Sequence, residues 1–380
     1  MRISMIGTRG VPARYGGFET CVEEVGRRLV QRGHDVTVYC RNVSESESEQ
    51  PAEYLGMRLV SLPALRKKSL ETLSHTALSV RHALSRVPDV AVVFNAANAP
   101  LLPLLRLRGI PVATHVDGLE WKRAKWSGAG SRYYRMAEAL AVRWSDALIA
   151  DSRGIGSYYA DRFGAESDYI PYGAPVLGEI GSDRIEGLDL RSREYHLVVA
   201  RFEPENHVHT AVDGYLRSGS KYPLVVVGTA PYAPEYTERI NRLAGGNDNV
   251  RLIGAVWDQQ QLDELYGNAL TYVHGHSVGG TNPSLLRAMG AGASTSAFDV
   301  DFNREVLGDF GRYFTNADEL AALFDAAEAD PAATVRRGRA QLGSLDRYDW
   351  EDVTIRYEKL AARLLDSKRG RGKLAARRAR

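Results

Sequence analysis

Residues 274–292 read HGHSVGGTNPSLLRAMGAG and follow a short apolar run, ALTYV at 269–273, that is typical of a buried strand. Gly279 and Gly280 permit a tight turn with close backbone approach. Asn282 is a favoured helix N-cap, and the proline after it is tolerated as the first helical residue. The stretch therefore predicts a strand, a glycine turn and a helix whose free N–H groups suit a phosphate. An ordinary βα turn that binds nothing is the alternative.

The same alternation of apolar runs and amphipathic segments continues along the whole chain, which predicts an α/β fold with parallel sheets. It stops near 171–175, and residues 176–193 are rich in Gly, Asp, Glu and Arg. Because 380 residues exceed one ordinary core, we expect two Rossmann-like domains, 1–175 and 176–348, then a helix over 349–366 and a tail over 367–380. The predicted strands lie at 1–6, 35–39, 57–62, 89–94, 111–115, 147–150, 195–200, 224–227, 250–253 and 270–273, with a weak one near 295.

The composition is that of a soluble globular protein, with 44% hydrophobic and 25% charged residues and a net charge of +2. Two cysteines make neither a disulfide framework nor a metal cluster, which fits a reducing cytosol. No run approaches the length of a membrane span, and the first strand leaves no room for a signal peptide. We therefore expect a cytoplasmic protein, and no nucleic-acid partner.

Two basic segments predict contact with an anionic membrane surface. Residues 367–380 carry seven basic residues and no acidic one. Arg66-Lys67-Lys68 precedes an amphipathic segment whose apolar positions recur at helical spacing. These segments predict a peripheral protein on the inner face of the cell membrane, and a solvated tail is the alternative.

Six motifs occur along the chain: GTRGVP at 7–12, YGGFET at 15–20, HVDGLEWKR at 115–123, DS at 151–152, IPYG at 170–173 and ARFEPEN at 200–206. Together they resemble the retaining glycosyltransferases of family 4. Within that family the chain is most similar to the bacterial rhamnosyltransferases of capsule, cell-wall and O-antigen synthesis. The resemblance implies the GT-B fold, which has two facing Rossmann-like domains with parallel sheets and a C-terminal helix that crosses back to the first domain.

The resemblance also implies the reaction: a sugar moves from a nucleotide-sugar donor to a lipid-linked saccharide acceptor in cell-surface polysaccharide biosynthesis. The expected donor is dTDP-L-rhamnose. The alternatives are a UDP-hexose donor and a protein that binds nucleotide sugars without catalysis. No metal or other cofactor is expected, since the DVD run at 299–301 falls where GT-B enzymes have a donor-facing loop.

Three positions in two motifs depart from the wider family. It has two glutamates eight residues apart where this chain has Gly279 and Arg287, and a lysine where this chain has Asn206. In the family the second glutamate holds the ribose, and the lysine helps to hold the diphosphate. A thymidine nucleotide lacks one ribose hydroxyl, so Arg287 is compatible with a deoxy donor. The guanidinium of Arg287 then binds the phosphates or pairs with a nearby acidic residue. The remaining alternative is that the side chain points to solvent.

The motifs also assign candidate residues. Arg201, just after a predicted strand, is a candidate to stabilise the leaving diphosphate, and Asp117 is a candidate to orient or deprotonate the acceptor hydroxyl. A surface ion pair and a turn-forming aspartate are the respective alternatives. The predicted donor contacts are Arg9, Gly10, Glu205, Asn206, His276, Gly279, Gly280, Thr281, Asn282 and Glu305, and the predicted acceptor contacts are Tyr15, Gly16, Gly17, Glu120, Trp121 and Arg123.

Overall fold

The chain folds into two compact units, each built around its own sheet. Unit 1 contains residues 1–121, 126–173 and 350–380, and unit 2 contains residues 122–125 and 174–349. The computed structural model describes the chain except for residues 14–15, 43–50, 66–69, 117, 124–125, 127, 231–232 and 379–380 and the side chains of 370–378.

Unit 1 has an eight-stranded sheet in the order β3-β4-β2-β1-β5-β6-β7-β8, in which only the β3–β4 pair is antiparallel. Its β5 is buried along its whole length, as expected for a strand covered on both faces. The elements are β1 (Arg2–Ile6), α1 (Gly17–Gln31), β2 (Asp35–Arg41), β3 (Glu53–Tyr54), β4 (Met57–Leu62), α2 (Glu71–Arg86), β5 (Val90–Phe94), α3 (Leu102–Leu107), β6 (Val112–Val116), α4 (Ala129–Trp144), β7 (Ala147–Ala150), α5 (Arg153–Phe163) and β8 (Asp168–Tyr169).

Unit 2 has a six-stranded, wholly parallel sheet in the order β11-β10-β9-β12-β13-β14. The largely parallel sheet of unit 1 and the parallel sheet of unit 2 confirm the predicted α/β class. The elements are α6 (Asp183–Glu186), β9 (His196–Val199), α7 (Val208–Arg217), β10 (Leu224–Val227), α8 (Pro234–Ala244), β11 (Val250–Gly254), α9 (Gln259–Asn268), β12 (Thr271–His274), α10 (Pro283–Gly290), β13 (Thr295–Phe298), α11 (Asp301–Leu307), β14 (Arg312–Phe314), α12 (Ala317–Ala329) and α13 (Pro331–Ala340).

The last helix, α14 (Trp350–Arg378), returns to unit 1 and packs on α1. Tyr357 is buried there, with its hydroxyl 3.5 Å from Sγ of Cys21. A Cβ at Gly173 would lie 2.7 Å from Cε2 of Trp350. The Trp350 ring at the start of the helix therefore packs directly on the backbone of Gly173. The prediction ended this helix at residue 366, but the backbone stays helical to Arg378, which takes most of the predicted tail into the helix.

Sequence patterns missed the helices α3, α5, α6 and α11 and the strands β3, β8 and β14, each of which the structure contains. Two glycines within α5 conceal its helical pattern, yet its ends carry clear signals: Ser152 caps Ile155 N at 3.3 Å, and Gly164 takes a left-handed φ of 62°. Within the described residues, no helix combines the length and the apolar character needed to cross a bilayer.

Candidate functional site

The turn between β12 and α10 has the predicted arrangement of strand, glycine turn and capped helix. Asn282 Oδ1 accepts hydrogen bonds from the backbone N (3.0 Å) and Oγ (2.7 Å) of Ser284, and the helix begins at Pro283. Gly279 has φ +144°, and a Cβ there would have nothing within 4 Å. The space beside Gly279 is therefore open, whereas Gly280 and Thr281 are buried.

Hydrogen bonds hold this turn against the loop that follows β9, the neighbouring strand. The backbone N and Oγ of Ser277 donate to the Glu205 carbonyl at 2.9 and 3.1 Å. His207 Nδ1 lies 2.8 Å from the Gly275 carbonyl. Predicted donor residues from two parts of the sequence, Glu205 and His276, are thus brought together at the carboxyl ends of adjacent strands. Asn206 uses its amide within the loop, donating to the Arg201 carbonyl at 2.8 Å.

Two arginines flank a buried carboxylate beside this loop. Glu203 Oε2 lies 3.4 Å from Arg201 Nη2 and 3.4 Å from Arg123 Nη1, and the Glu203 side chain is 5% exposed. Arg123 is also 3.9 Å from Glu205 Oε1. Arg123, predicted as an acceptor contact, therefore lies among predicted donor residues in unit 2. Glu203 was not predicted, although its place between Arg201 and Glu205 in ARFEPEN was the available signal.

Polar atoms without partners converge at the same place. Both Glu205 carboxylate oxygens and Nδ1 of His276 are buried and have no hydrogen-bond partner among the described residues. A buried polar atom left unpaired costs about 1–3 kcal/mol, so this arrangement favours a ligand that carries hydroxyl or N–H groups.

The histidines of this site are neutral at physiological pH. Burial, together with the neighbouring His274 and Arg201, holds the pKa of His276 well below its usual range. Burial alone lowers the pKa of His274 to about 3. The two rings stack with their centroids 4.4 Å apart. A neutral imidazole can exchange hydrogen bonds with sugar hydroxyls without adding charge.

The remaining donor-side residues have support from α9 and α11. Arg287 on α10 forms an ion pair with Asp263 on α9, and this carboxylate neutralises its charge. Asn303 donates to the His276 carbonyl at 3.0 Å, which fixes the loop to α11, the helix that also carries Glu305. In the DVD run, Asp299 accepts from Arg304 Nη2 at 2.7 Å.

The predicted residues of unit 1 have different surroundings. Gly10 has φ +103°, and a Cβ there would lie 2.7 Å from Cys40 Cα. Arg9 donates its backbone N–H to Glu19 Oε1 at 2.9 Å. Gly16 precedes α1 with φ 112°, and Gly17 is its first residue. Tyr15 and Asp117 lie outside the described residues, as does the Arg66-Lys67-Lys68 run.

Two of the predicted acceptor residues, Glu120 and Trp121, lie near an aromatic cluster. Glu120 is buried and accepts from Trp126 Nε1 at 3.2 Å. The guanidinium of Arg135 lies 4.3 Å from the Trp121 ring centroid. Trp126 in turn packs on Tyr134 with ring centroids 4.9 Å apart. Aromatic faces beside a carboxylate suit a saccharide, although Trp121 and Trp126 also have packing roles here.

Comparison with known proteins places two recognised domains on the two units. Residues 16–173 match the model of the glycosyl transferase 4-like domain, and residues 185–341 match that of glycosyl transferases group 1. Together these models cover most of the chain. No curated protein matches the sequence.

Solved structures with low sequence identity share the fold. Sucrose-phosphate synthase from Thermosynechococcus elongatus superposes with a TM-score of 0.81 at 18% identity, over 96% of this chain and 99% of that one. Anabaena HepE in complex with UDP-glucose has a TM-score of 0.75 at 15% identity, with coverage of 97% and 100%. A glycosyltransferase from Rickettsia africae has a TM-score of 0.73 at 12% identity, with coverage of 96% and 98%.

Proposed function

Because the chain belongs to the glycosyltransferases of GT-B type by its two domains and its fold, we propose that unit 2 binds a nucleoside-diphosphate sugar and that the enzyme transfers its sugar with retention. One observation carries the proposal: the buried carboxylate of Glu205 accepts no hydrogen bond among the described residues and lies 3.9 Å from Arg123, which shares the neighbouring Glu203 with Arg201. The carboxylate can accept hydrogen bonds from hydroxyl groups, and the arginines can bind phosphate groups. A nucleotide sugar supplies both kinds of group in one molecule.

The charges also suit the reaction. As the bond between the anomeric carbon and the phosphate oxygen breaks, negative charge grows on the diphosphate, and Arg201 stabilises it. The acceptor oxygen attacks from the same face, and its proton passes to the departing phosphate oxygen. No protein nucleophile is needed in this scheme. Asp117 orients the acceptor hydroxyl, and Tyr15, Gly16, Gly17, Glu120 and Trp121 are the proposed acceptor contacts.

We propose dTDP-L-rhamnose as the donor and a lipid-linked saccharide as the acceptor. Arg287 stands where the wider family has the carboxylate that holds the ribose, and Asp263 neutralises its charge, which supports a deoxy nucleotide. A UDP-hexose is the second candidate, favoured by the fold shared with HepE, which was solved with UDP-glucose. No metal is part of the proposed reaction.

Two measurements test the proposal. Calorimetric titration with dTDP and UDP measures the nucleotide preference, and we expect dTDP to bind more tightly. Incubation with dTDP-L-rhamnose or UDP-glucose, followed by detection of free nucleoside diphosphate, measures donor turnover with or without an acceptor. Binding of a nucleotide sugar with no turnover on any acceptor would instead support the non-catalytic alternative.

A further inference from the structure

An open groove of about 400 Å³ lies in unit 1 between the edge strand β8 and the helix α14. Residues 168–170 form one wall, and four residues of α14 form the other. Small-molecule sites usually have volumes of about 300–1,000 Å³. The groove is therefore large enough for a small organic ligand, and the chemistry of its walls decides which kind.

Part of the groove is apolar. Ile170, directly after β8, and Leu360 on α14 both line it and are buried. These two side chains can contact a hydrocarbon or ring portion of a ligand.

Cationic side chains line the helix wall. Arg356, Lys359 and Arg363 follow one another at spacings of three and four residues, so they share one face of α14. Seven residues of helix rise by about 10 Å. The three cations are therefore spread along the length of the groove rather than gathered at one end.

Both arginines have carboxylate partners. Arg356 binds Asp352 through Nε at 2.8 Å and Nη2 at 2.6 Å, and its Nη1 lies 3.4 Å from the Tyr169 carbonyl oxygen. Arg363 binds Asp168 on β8 through Nη2 at 2.6 Å. The two acidic residues therefore orient the arginines and neutralise part of their charge.

The charge of Lys359 is not neutralised in this way. Its side chain is exposed, and none of the ion pairs among the described residues includes it. Arg363, one turn farther along α14, pairs through Nη2 alone, so its Nε and Nη1 remain available as donors. An ammonium and part of a guanidinium thus face the same groove, and both bind phosphate oxygens well.

We propose that this groove binds a small phosphate monoester, with the phosphate on Lys359 and Arg363 and an apolar part of the ligand against Leu360 and Ile170. A phosphate monoester carries a charge of about −1.5 to −2 at neutral pH and three acceptor oxygens. It therefore matches the excess positive charge better than a single carboxylate would. The inference stands independently of the proposed function.

The groove is separate from the residues assigned to the donor and the acceptor. β7 lies between β8 and β6, and the predicted acceptor loop follows β6. A ligand in the groove contacts both β8 and α14, so it stabilises the packing of the helix on the edge of the sheet. The ligand is therefore an effector that holds α14 in place and is not a substrate.

Calorimetric titration of the full chain with phenyl phosphate, inorganic phosphate and phenol, at constant ionic strength, tests the proposal. We expect phenyl phosphate to bind more tightly than inorganic phosphate, because its ring buries apolar surface. Phenol, which lacks the anion, should not bind. Hydrogen exchange with phenyl phosphate should show new protection within residues 356–363, which separates this groove from the phosphate-binding residues of unit 2.

Two substitutions should change the affinity in opposite directions. Lys359→Gln should weaken phenyl phosphate binding by about threefold or more, because it removes one unit charge from a solvated groove. Asp168→Asn should tighten it by a similar factor, because it removes an acidic group and releases Arg363. Lys359→Arg keeps the charge and should bind as the wild type does. The matched control is Arg369→Gln on the same helix, since Arg369 is exposed but does not line the groove.

The proposal would be overturned by a wild type that does not bind phenyl phosphate, by Lys359→Gln binding as the wild type does, or by protection that appears only in unit 2. Looser binding by Asp168→Asn would contradict it as well. Thermal unfolding without ligand verifies that the variants fold. Titration with dTDP tests the proposed function separately, because all four variants should bind dTDP as the wild type does.

Discussion

The two units each place a glycine-rich loop after a central strand, but the glycines have different surroundings. In unit 1, a Cβ at Gly7 would lie 2.5 Å from the Phe94 carbonyl oxygen, and one at Gly10 would lie 2.7 Å from Cys40 Cα. In unit 2, a Cβ at Gly279 would have nothing within 4 Å. All three glycines have positive φ. Packing thus explains Gly7 and Gly10 in unit 1, whereas Gly279 in unit 2 borders open space.

The histidines at the carboxyl ends of the central strands differ in the same way. His115 in unit 1 is buried between the Phe94 and Tyr172 rings, with centroids 5.5 and 5.8 Å away. His276 in unit 2 stands beside Glu205 and two arginines. The same residue type therefore belongs to an aromatic core in one unit and to a polar site in the other, and this contrast can be tested.

The largest expected effect is on the stability of the packed loop. Gly10→Ala forces a methyl group against Cys40 and a non-glycine residue into positive φ, and overpacking and backbone strain together should cost about 2–5 kcal/mol of unfolding free energy. Urea denaturation measures this. The control is Gly33→Ala, where φ is +84° but no atom lies within 4 Å, so only the strain remains. Equal losses for the two variants would contradict the packing explanation.

The next effect concerns the polar site of unit 2. Arg201→Ala should lower kcat/KM, with a loss of about 2–4 kcal/mol of transition-state stabilisation, which is the range for removing one preorganised electrostatic donor. Thermal unfolding should hardly change, because Arg201 is 43% exposed. Arg217→Ala removes an exposed, ion-paired arginine from the same unit and should leave turnover intact. Normal turnover by Arg201→Ala would remove that residue from the proposed mechanism.

Lowering the pH should reduce the free energy of unfolding, because His115 is buried among aromatic rings. Burial lowers its pKa to about 3, whereas the unfolded chain has the ordinary value of 6.5. The unfolded state therefore binds the proton first, and stability is lost as the pH falls below 6.5, by about 2 kcal/mol at pH 5. His115→Phe removes this contribution. Urea titrations at pH 7 and pH 5 should show a smaller loss for the variant than for the wild type, and equal losses would refute the assignment.

The smallest expected effect concerns which nucleotide, dTDP or UDP, the sugar donor contains. Arg287→Glu restores a carboxylate at the ribose position of the wider family and places it near Asp263, so we expect a dTDP preference narrowed by about 1 kcal/mol or less. Asp263→Asn, which removes the acid and keeps the arginine, serves as the control. Calorimetric titration with dTDP and UDP measures both. Tighter binding of UDP than of dTDP by the wild type would end the case for a rhamnose donor.

Local chemistry accounts for the parts of the structure that the sequence predicts well. Asn282 and Pro283 mark the start of α10 because a cap and a fixed φ act within one turn of chain. Buried strands such as β5 are recognisable because both faces must be apolar. By contrast, Gly154 and Gly156 weaken the pattern of α5, and its existence depends on packing against the sheet rather than on propensity.

The site itself was predictable only in part, because its geometry depends on residues far apart in sequence. Glu203 and Arg123 are separated by 80 positions, and neither residue type indicates the other. The packing of Gly10 against Cys40 is equally remote from any local motif. Family motifs supplied Arg201 and Glu205, but they could not show that Asn206 holds the loop or that Asp263 pairs with Arg287.

The return of α14 to unit 1 has a consequence for the order in which the protein is made. Unit 2 is complete once residue 349 has left the ribosome, whereas unit 1 still lacks its last helix. Until then, the face of α1 on which α14 packs, including Cys21, is not covered by Tyr357. The N-terminal unit, although synthesised first, is therefore the last to be finished, and a chain cut short before Trp350 would leave that face of α1 exposed to water.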